Sequence, residues 1–184
     1  MKIMNTTRED LKIELVNGCG WLSIARPEFK NAITTKMWQA IPELISTLYG
    51  DGARAIILRG SEGCFGAGAD LAELQAINNY KSAFQFWNSI KETLEFVWSL
   101  DVPTIAMIEG PCLGGACLLA TACDLRFADQ KATFAVPTSK FGIVLDDDTV
   151  HRLVSLVGPA NASEMLLTGD TINSEEAKRI GLIN

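Results

Sequence analysis

Short, wholly apolar runs set between segments of helical periodicity are the feature that most limits what these 184 residues can fold into. Ala53–Leu58 and Thr104–Ile108 read as strands buried on both faces, which is how parallel strands appear in a sequence. Between such runs, Met37, Ile41, Leu44, Ile45 and Leu48 recur at helical spacing within Thr34–Leu48, with Thr34 or Thr35 as N-cap. Pro42 lies inside that pattern and predicts a kink or an early end. Phe84–Leu100 repeats the periodicity and predicts a core face of Trp87, Ile90, Leu94, Val97 and Trp98. Upstream, Leu11–Leu15 and Trp21–Ala25 alternate as strands about Asn17-Gly18, a strong hairpin signal. Downstream, strand material at Asp124–Ala128 and Thr133–Ala135 precedes helices near Thr149–Val157, Asn161–Leu167 and Ser174–Ile180. Strand–helix–strand order requires crossover helices, so the class is α/β, one domain over residues 1–184.

Composition narrows the partners. Sixteen Lys+Arg against 22 Asp+Glu leave a formal charge of −6, opposite to the basic footprint of nucleic-acid binding and repelled by anionic membranes. Thr104–Cys123 is the longest apolar tract, but Glu109, Pro111 and three glycines make it a core segment, not a membrane span. Met1–Asp10 is polar and lacks the apolar core of a signal peptide. Cys19, Cys64, Cys112, Cys117 and Cys123 are odd in number and show no CxxC, which predicts buried reduced thiols in a cytoplasmic protein. One histidine, His151, and no metal-type spacing predict no metal site.

Two glycine turns carry the chemistry. Cys64-Phe65-Gly66-Ala67-Gly68-Ala69-Asp70-Leu71 follows the first buried strand, and Glu109-Gly110-Pro111-Cys112-Leu113-Gly114-Gly115-Ala116-Cys117 follows the second. Each is read either as a tight corner that tolerates only small residues or as a backbone surface whose N–H groups meet a ligand. The first lacks the third glycine of a dinucleotide fingerprint, and neither is a P-loop. The second opens a helix, whose N-terminus suits an anion or a developing oxyanion. Two such turns after separate strands can converge on one ligand.

Taken in order, these segments resemble the crotonase superfamily, the enoyl-CoA hydratase/isomerase family. Arg26-Pro27 with Asn31-Ala32, Ile56–Gly60 through Leu71, Val102–Ala106 through Gly115 and Asp124, and Leu166–Gly169 with Ala177-Lys178 and Gly181-Leu182 carry the match. The resemblance implies a ββα superhelix that binds an acyl-CoA thioester, with coenzyme A part of the substrate and no separate cofactor. It places the oxyanion-hole amides at Ala69 and Gly115. It implies substrate-binding walls at Ala67, Gly68, Asp70, Leu71, Ala72, Leu118 and Thr138, and it makes Arg26 either a rim residue or a surface arginine. The chain stops at Asn184, short of the helices with which the family closes its pocket and forms trimers. The C-terminal trimerisation segment is therefore expected to be absent or truncated, and a homotrimer or hexamer is expected where those helices are present.

The family's hydratases use two glutamates, and their positions match Leu118 and Thr138 here. Each lost acid/base group removes about 10²–10⁴-fold in rate, so isomerisation or other proton transfer is expected in place of ordinary hydration. The alternative is a non-catalytic acyl-CoA-binding or assembly subunit. Among isomerase-like members an aspartate in a later loop moves the proton, and it matches Asp146 of Asp146-Asp147-Asp148. Two readings of that triplet stand: a cap for the helix beginning near Thr149, or a catalytic Asp146 kept protonated by its neighbours.

Overall fold

Asn17 and Gly18, with φ of 53° and 81°, reverse the chain between β2 (Leu11–Val16) and β3 (Cys19–Ile24), which pair antiparallel with Leu11 opposite Ile24. The computed structural model describes residues 5–8 and 10–184. The sequence reading of Met1–Asp10 falls partly outside them. Residues 5–8 form β1 (Asn5–Arg8), paired to β2. From β3 the sheet continues through β4 (Ala55–Gly60), β5 (Thr104–Ile108) and, past the short β6 (Pro111–Leu113), β7 (Leu125–Ala128), all parallel. The order is β1-β2-β3-β4-β5-β7, and β6, β8 (Thr133–Ala135) and β9 (Ile172–Asn173) form a second sheet.

Each parallel step requires a crossover. Helix α1 (Thr35–Gly50) supplies the first, with the Thr34 side chain accepting from Met37 N at 3.2 Å as its cap. Helices α2 (Leu71–Ala76) and α3 (Tyr80–Trp98) supply the second, and α4 (Gly115–Ala122) runs from β6 to β7. Helix α5 (Asp147–Thr168) is broken at Gly158 (φ 76°, ψ 164°) ahead of Pro159, giving the two helices expected there, and α6 (Ser174–Arg179) closes the described chain.

Two expectations are corrected. Pro42 does not end α1, which runs through it to Gly50. Proline cannot donate to the carbonyl one turn back, at Trp38, and that oxygen instead accepts the buried Thr93 hydroxyl of α3 at 2.7 Å. Thr93→Val is expected to cost about 1–3 kcal/mol, the penalty for orphaning a buried acceptor, read from urea unfolding. On α3 the buried stripe runs through Phe86, Ile90, Leu94 and Val97, while Trp87 and Trp98 are 36% and 52% exposed. Trp98 lies under the Arg152 guanidinium, 4.4 Å from its ring centre, so it packs at the surface. Trp87 meets Phe86 edge-on at 5.3 Å.

All five cysteines are free; Cys112, Cys117 and Cys123 are buried, whereas Cys19 and Cys64 are only half-buried. Burial pushes the Cys123 thiol up to about 12. Among the described residues no helix is long and apolar enough to cross a membrane, and no cluster of ligand-type side chains could hold a metal ion.

Candidate active site

The first glycine turn is held as a short strand against residues 30–33. Ile33 N donates to Gly68 O at 2.8 Å, and Asp70 N donates to Ile33 O at 3.0 Å. In an extended segment alternate residues point their N–H groups to opposite edges, so the Ala69 N–H faces away from this pairing. Asn31, fully buried at φ 54°, pins the turn: its Nδ2 donates to Ser61 O and to Cys64 O at 3.0 and 2.6 Å. Asp70 caps α2, accepting from Ala72 N and Glu73 N at 2.9 and 3.2 Å. The Arg26 guanidinium reaches Asp70 at 2.6 Å and stacks over Phe29.

The second turn closes on the first. Gly66 N donates to Pro111 O and Leu113 N to Gly66 O. Gly114 adopts φ 53°, ψ −126°, and Gly115 is the first residue of α4, where an N–H has no acceptor in its own helix. At Gly68 the contact is close enough to specify glycine, and at Gly115 it is tight. A Cβ on Gly68 (φ +99°) would stand 2.8 Å from Leu113 O and 3.0 Å from Gly115 N; one on Gly115 would stand 3.3 Å from Ala69 N and 3.1 Å from Trp38 Cζ2. Among the described residues neither the Ala69 nor the Gly115 N–H has an acceptor. The buried Trp38 Nε1 beside them is likewise unpartnered.

Ala69 and Gly115 line one cavity of about 660 Å³. Of the expected wall residues, Ala67, Leu71, Leu118 and Thr138 line it as well, whereas Arg26, Gly68, Asp70 and Ala72 do not. Arg26 and Asp70 instead form a mostly buried ion pair behind the Ala69 amide, their side chains 14% and 10% exposed. Burial pushes the Asp70 carboxyl up, but the Arg26 hydrogen bond and two helix amides outweigh it and hold it below its ordinary value.

Asp146 also lines the cavity, and it caps α5: Thr149 N and Thr149 Oγ1 donate to its two oxygens at 3.0 and 2.8 Å. Partial burial pushes its carboxyl up, yet the Thr149 hydrogen bonds hold it below the usual carboxylate value. The protonated Asp146 expected from the triplet is therefore corrected: the group is a carboxylate at neutral pH. Asp147 and Asp148 stand exposed in the first turn of α5, and adjacent helical positions do not face one another. His151 is exposed on the same helix.

The far wall was not visible in the sequence. Phe86, Ile90 and Leu94 come from α3, and Phe141, Ile143, Val144 and Leu145 from the loop before α5. Only Trp87, Ile90 and Leu94, from the helical periodicity of Phe84–Leu100, offered a signal, and it reads equally as core.

Residues 14–184 match the family described as enoyl-CoA hydratase/isomerase. The chain belongs to the enoyl-CoA hydratase/isomerase family. It is 34% identical to a crotonyl-CoA hydratase of Syntrophomonas wolfei over 178 residues, 96% of this chain and 68% of that protein. It is 33% identical to the enoyl-CoA isomerase/hydratase fer4 of Mycosarcoma maydis over 179 residues, 92% of this chain and 65% of that one. The crystal structure of an enoyl-CoA hydratase/isomerase from Xanthobacter autotrophicus superposes at TM-score 0.90 with 34% identity, covering 97% of this chain and 66% of its own. The crotonase-like α/β fold follows. This family member spans 54% to 68% of the length of the curated relatives it matches.

Proposed function

We propose that this chain processes an acyl-CoA thioester by proton transfer, with isomerisation favoured over ordinary hydration. The observation that carries the reading is the pair of acceptor-free amides, Ala69 and Gly115, on one cavity whose hydratase glutamate positions hold Leu118 and Thr138. Chemistry beside a thioester builds negative charge on its carbonyl oxygen, and preorganised N–H donors stabilise that charge without reorganising. The positive end of α4 adds to the same field. The Asp146 carboxylate removes a proton from carbon, the electron pair flows to the carbonyl oxygen as an enolate, and the carboxylic acid so formed returns the proton to another carbon. No separate cofactor enters, coenzyme A being part of the substrate. A trimeric or hexameric assembly in the cytoplasm belongs to the same proposal; light scattering reads the first.

Asp146→Asn is expected to lower isomerisation of an enoyl-CoA by about 10²–10⁴-fold, the usual contribution of one general base. The pH profile carries a sign. A carboxyl held below its ordinary 3.8 keeps its base form throughout neutral and mildly acidic pH, so the base limb of the rate falls only below about pH 4. A limb near pH 6 would overturn the assignment.

A second reading has its own support. Thr149 occupies both Asp146 oxygens, an arrangement that a helix cap alone explains. A non-catalytic acyl-CoA-binding subunit would bind thioesters without turnover in the wild type and in Asp146→Asn alike.

A further inference from the structure

Resting on the acyl-CoA reading above, we infer that the cavity selects a longer apolar acyl chain over a short one. The argument is one of volume and of where charge sits. A methylene displaces roughly the volume of a water, about 30 Å³, so a four-carbon acyl group would fill only about 120 Å³ of a cavity of about 660 Å³.

Chemistry distinguishes the floor from the edge. Phe86, Ile90, Leu94 and Leu118 line the cavity and are 3%, 6%, 3% and 5% exposed, a floor of carbon. The charged residues that line it, Lys30, Lys91 and Asp146, are all exposed and lie at its edge. Leu118 stands three residues after Gly115 on α4, close to one helical turn, so a chain whose carbonyl sits at Gly115 meets Leu118 first and the α3 face beyond it. A carboxylate or hydroxyl held against those four side chains would be stripped of water and gain no partner from them. A long hydrocarbon chain displaces that water favourably.

The test is equilibrium binding of saturated butyryl-CoA and decanoyl-CoA, which lack the double bond and are read without turnover. Burying a methylene is worth up to about fourfold in affinity, so decanoyl-CoA is expected to bind at least about 30-fold more tightly, at one per chain. Ile90→Phe, which fills the floor, and Phe84→Ser, at an exposed lining position where folding is not at stake, are each expected to reduce the decanoyl-to-butyryl ratio by at least about fivefold. Affinities within about threefold of one another, or a ratio that neither substitution moves, overturn the chain-length inference while the acyl-CoA reading stands. Failure of both thioesters to bind overturns the two together.

Discussion

Asp70→Ala is expected to lower the stability of the fold by about 3–5 kcal/mol, the range for removing one partner of a buried ion pair. The Asp70 carboxylate does three jobs at once. It accepts the Arg26 guanidinium at 2.6 Å, and it accepts the first free amides of α2 at Ala72 and Glu73. Truncation orphans both amides, a cap loss of about 1 kcal/mol by itself. It also leaves a guanidinium that is 14% exposed with its Ala32 carbonyl contact at 3.2 Å and a distant Asp10 at 3.8 Å. For a chain of this size the midpoint of thermal unfolding should drop by about 10 °C. Asp70→Asn keeps an acceptor for the cap and should lose less. Because the Asp70 pKa is lowered in the folded state, its contribution is fully present above the unfolded carboxylate pKa and is lost as pH falls through the folded value. The gap between wild type and Asp70→Asn should therefore narrow as pH falls below about 4 and close once it has passed the folded value. A gap that persists there would mean that the ion pair is not its source.

Such a clamp is hard to see in a sequence, and the reason is physical. Arg26 and Asp70 are 44 residues apart, and Thr93 finds the Trp38 carbonyl across 55. Nothing local in either segment signals its partner. What local rules govern was legible: the Asn17-Gly18 reversal, the continuously apolar parallel strands, the Thr34 cap and the break before Pro159 each follow from one or two residues. The two glycine turns were legible for the same reason, since the backbone conformation and close approach at Gly68 exclude other side chains and Gly115 packs tightly against Ala69 and Trp38. Asp146 lies between these cases. Its cap on Thr149 is a short-range motif and was one of the two readings, whereas its protonation depended on where the side chains of Asp147 and Asp148 point, and helix geometry turns them away. Periodicity misplaced Trp87 and Trp98 by setting them on one core face with Ile90, Leu94 and Val97. One flank of that helix meets a cavity, and the other meets Arg152.

Adding one methyl group at Gly115 is expected to abolish most of the carbonyl activation. An oxygen held by both amides must lie about 2.9 Å from each nitrogen. The Cβ of Gly115→Ala would stand 3.3 Å from Ala69 N, so it takes up space that such an oxygen needs. It has little room to relax, because Trp38 Cζ2 is 3.1 Å away on the other side and Trp38 is fully buried. Loss of one such donor costs about 10²–10³-fold in turnover, and displacement of the oxygen from both should cost at least that. Turnover alone would not separate a blocked hole from a distorted fold, so the decisive measurement is the infrared band of a ¹³C-labelled thioester carbonyl. In the wild-type complex, donation from Ala69 and Gly115 is expected to weaken the C=O bond and move the band to lower frequency. In Gly115→Ala the band should return toward its position in water, while near-ultraviolet circular dichroism of the four tryptophans, the buried Trp38 among them, shows whether the core has kept its packing. An undiminished shift in the variant would place the carbonyl elsewhere in the cavity and remove the oxyanion role from both residues. A lost shift with the tryptophan signal intact would assign the polarisation to these two amides, because the substitution alters no charged or titratable group.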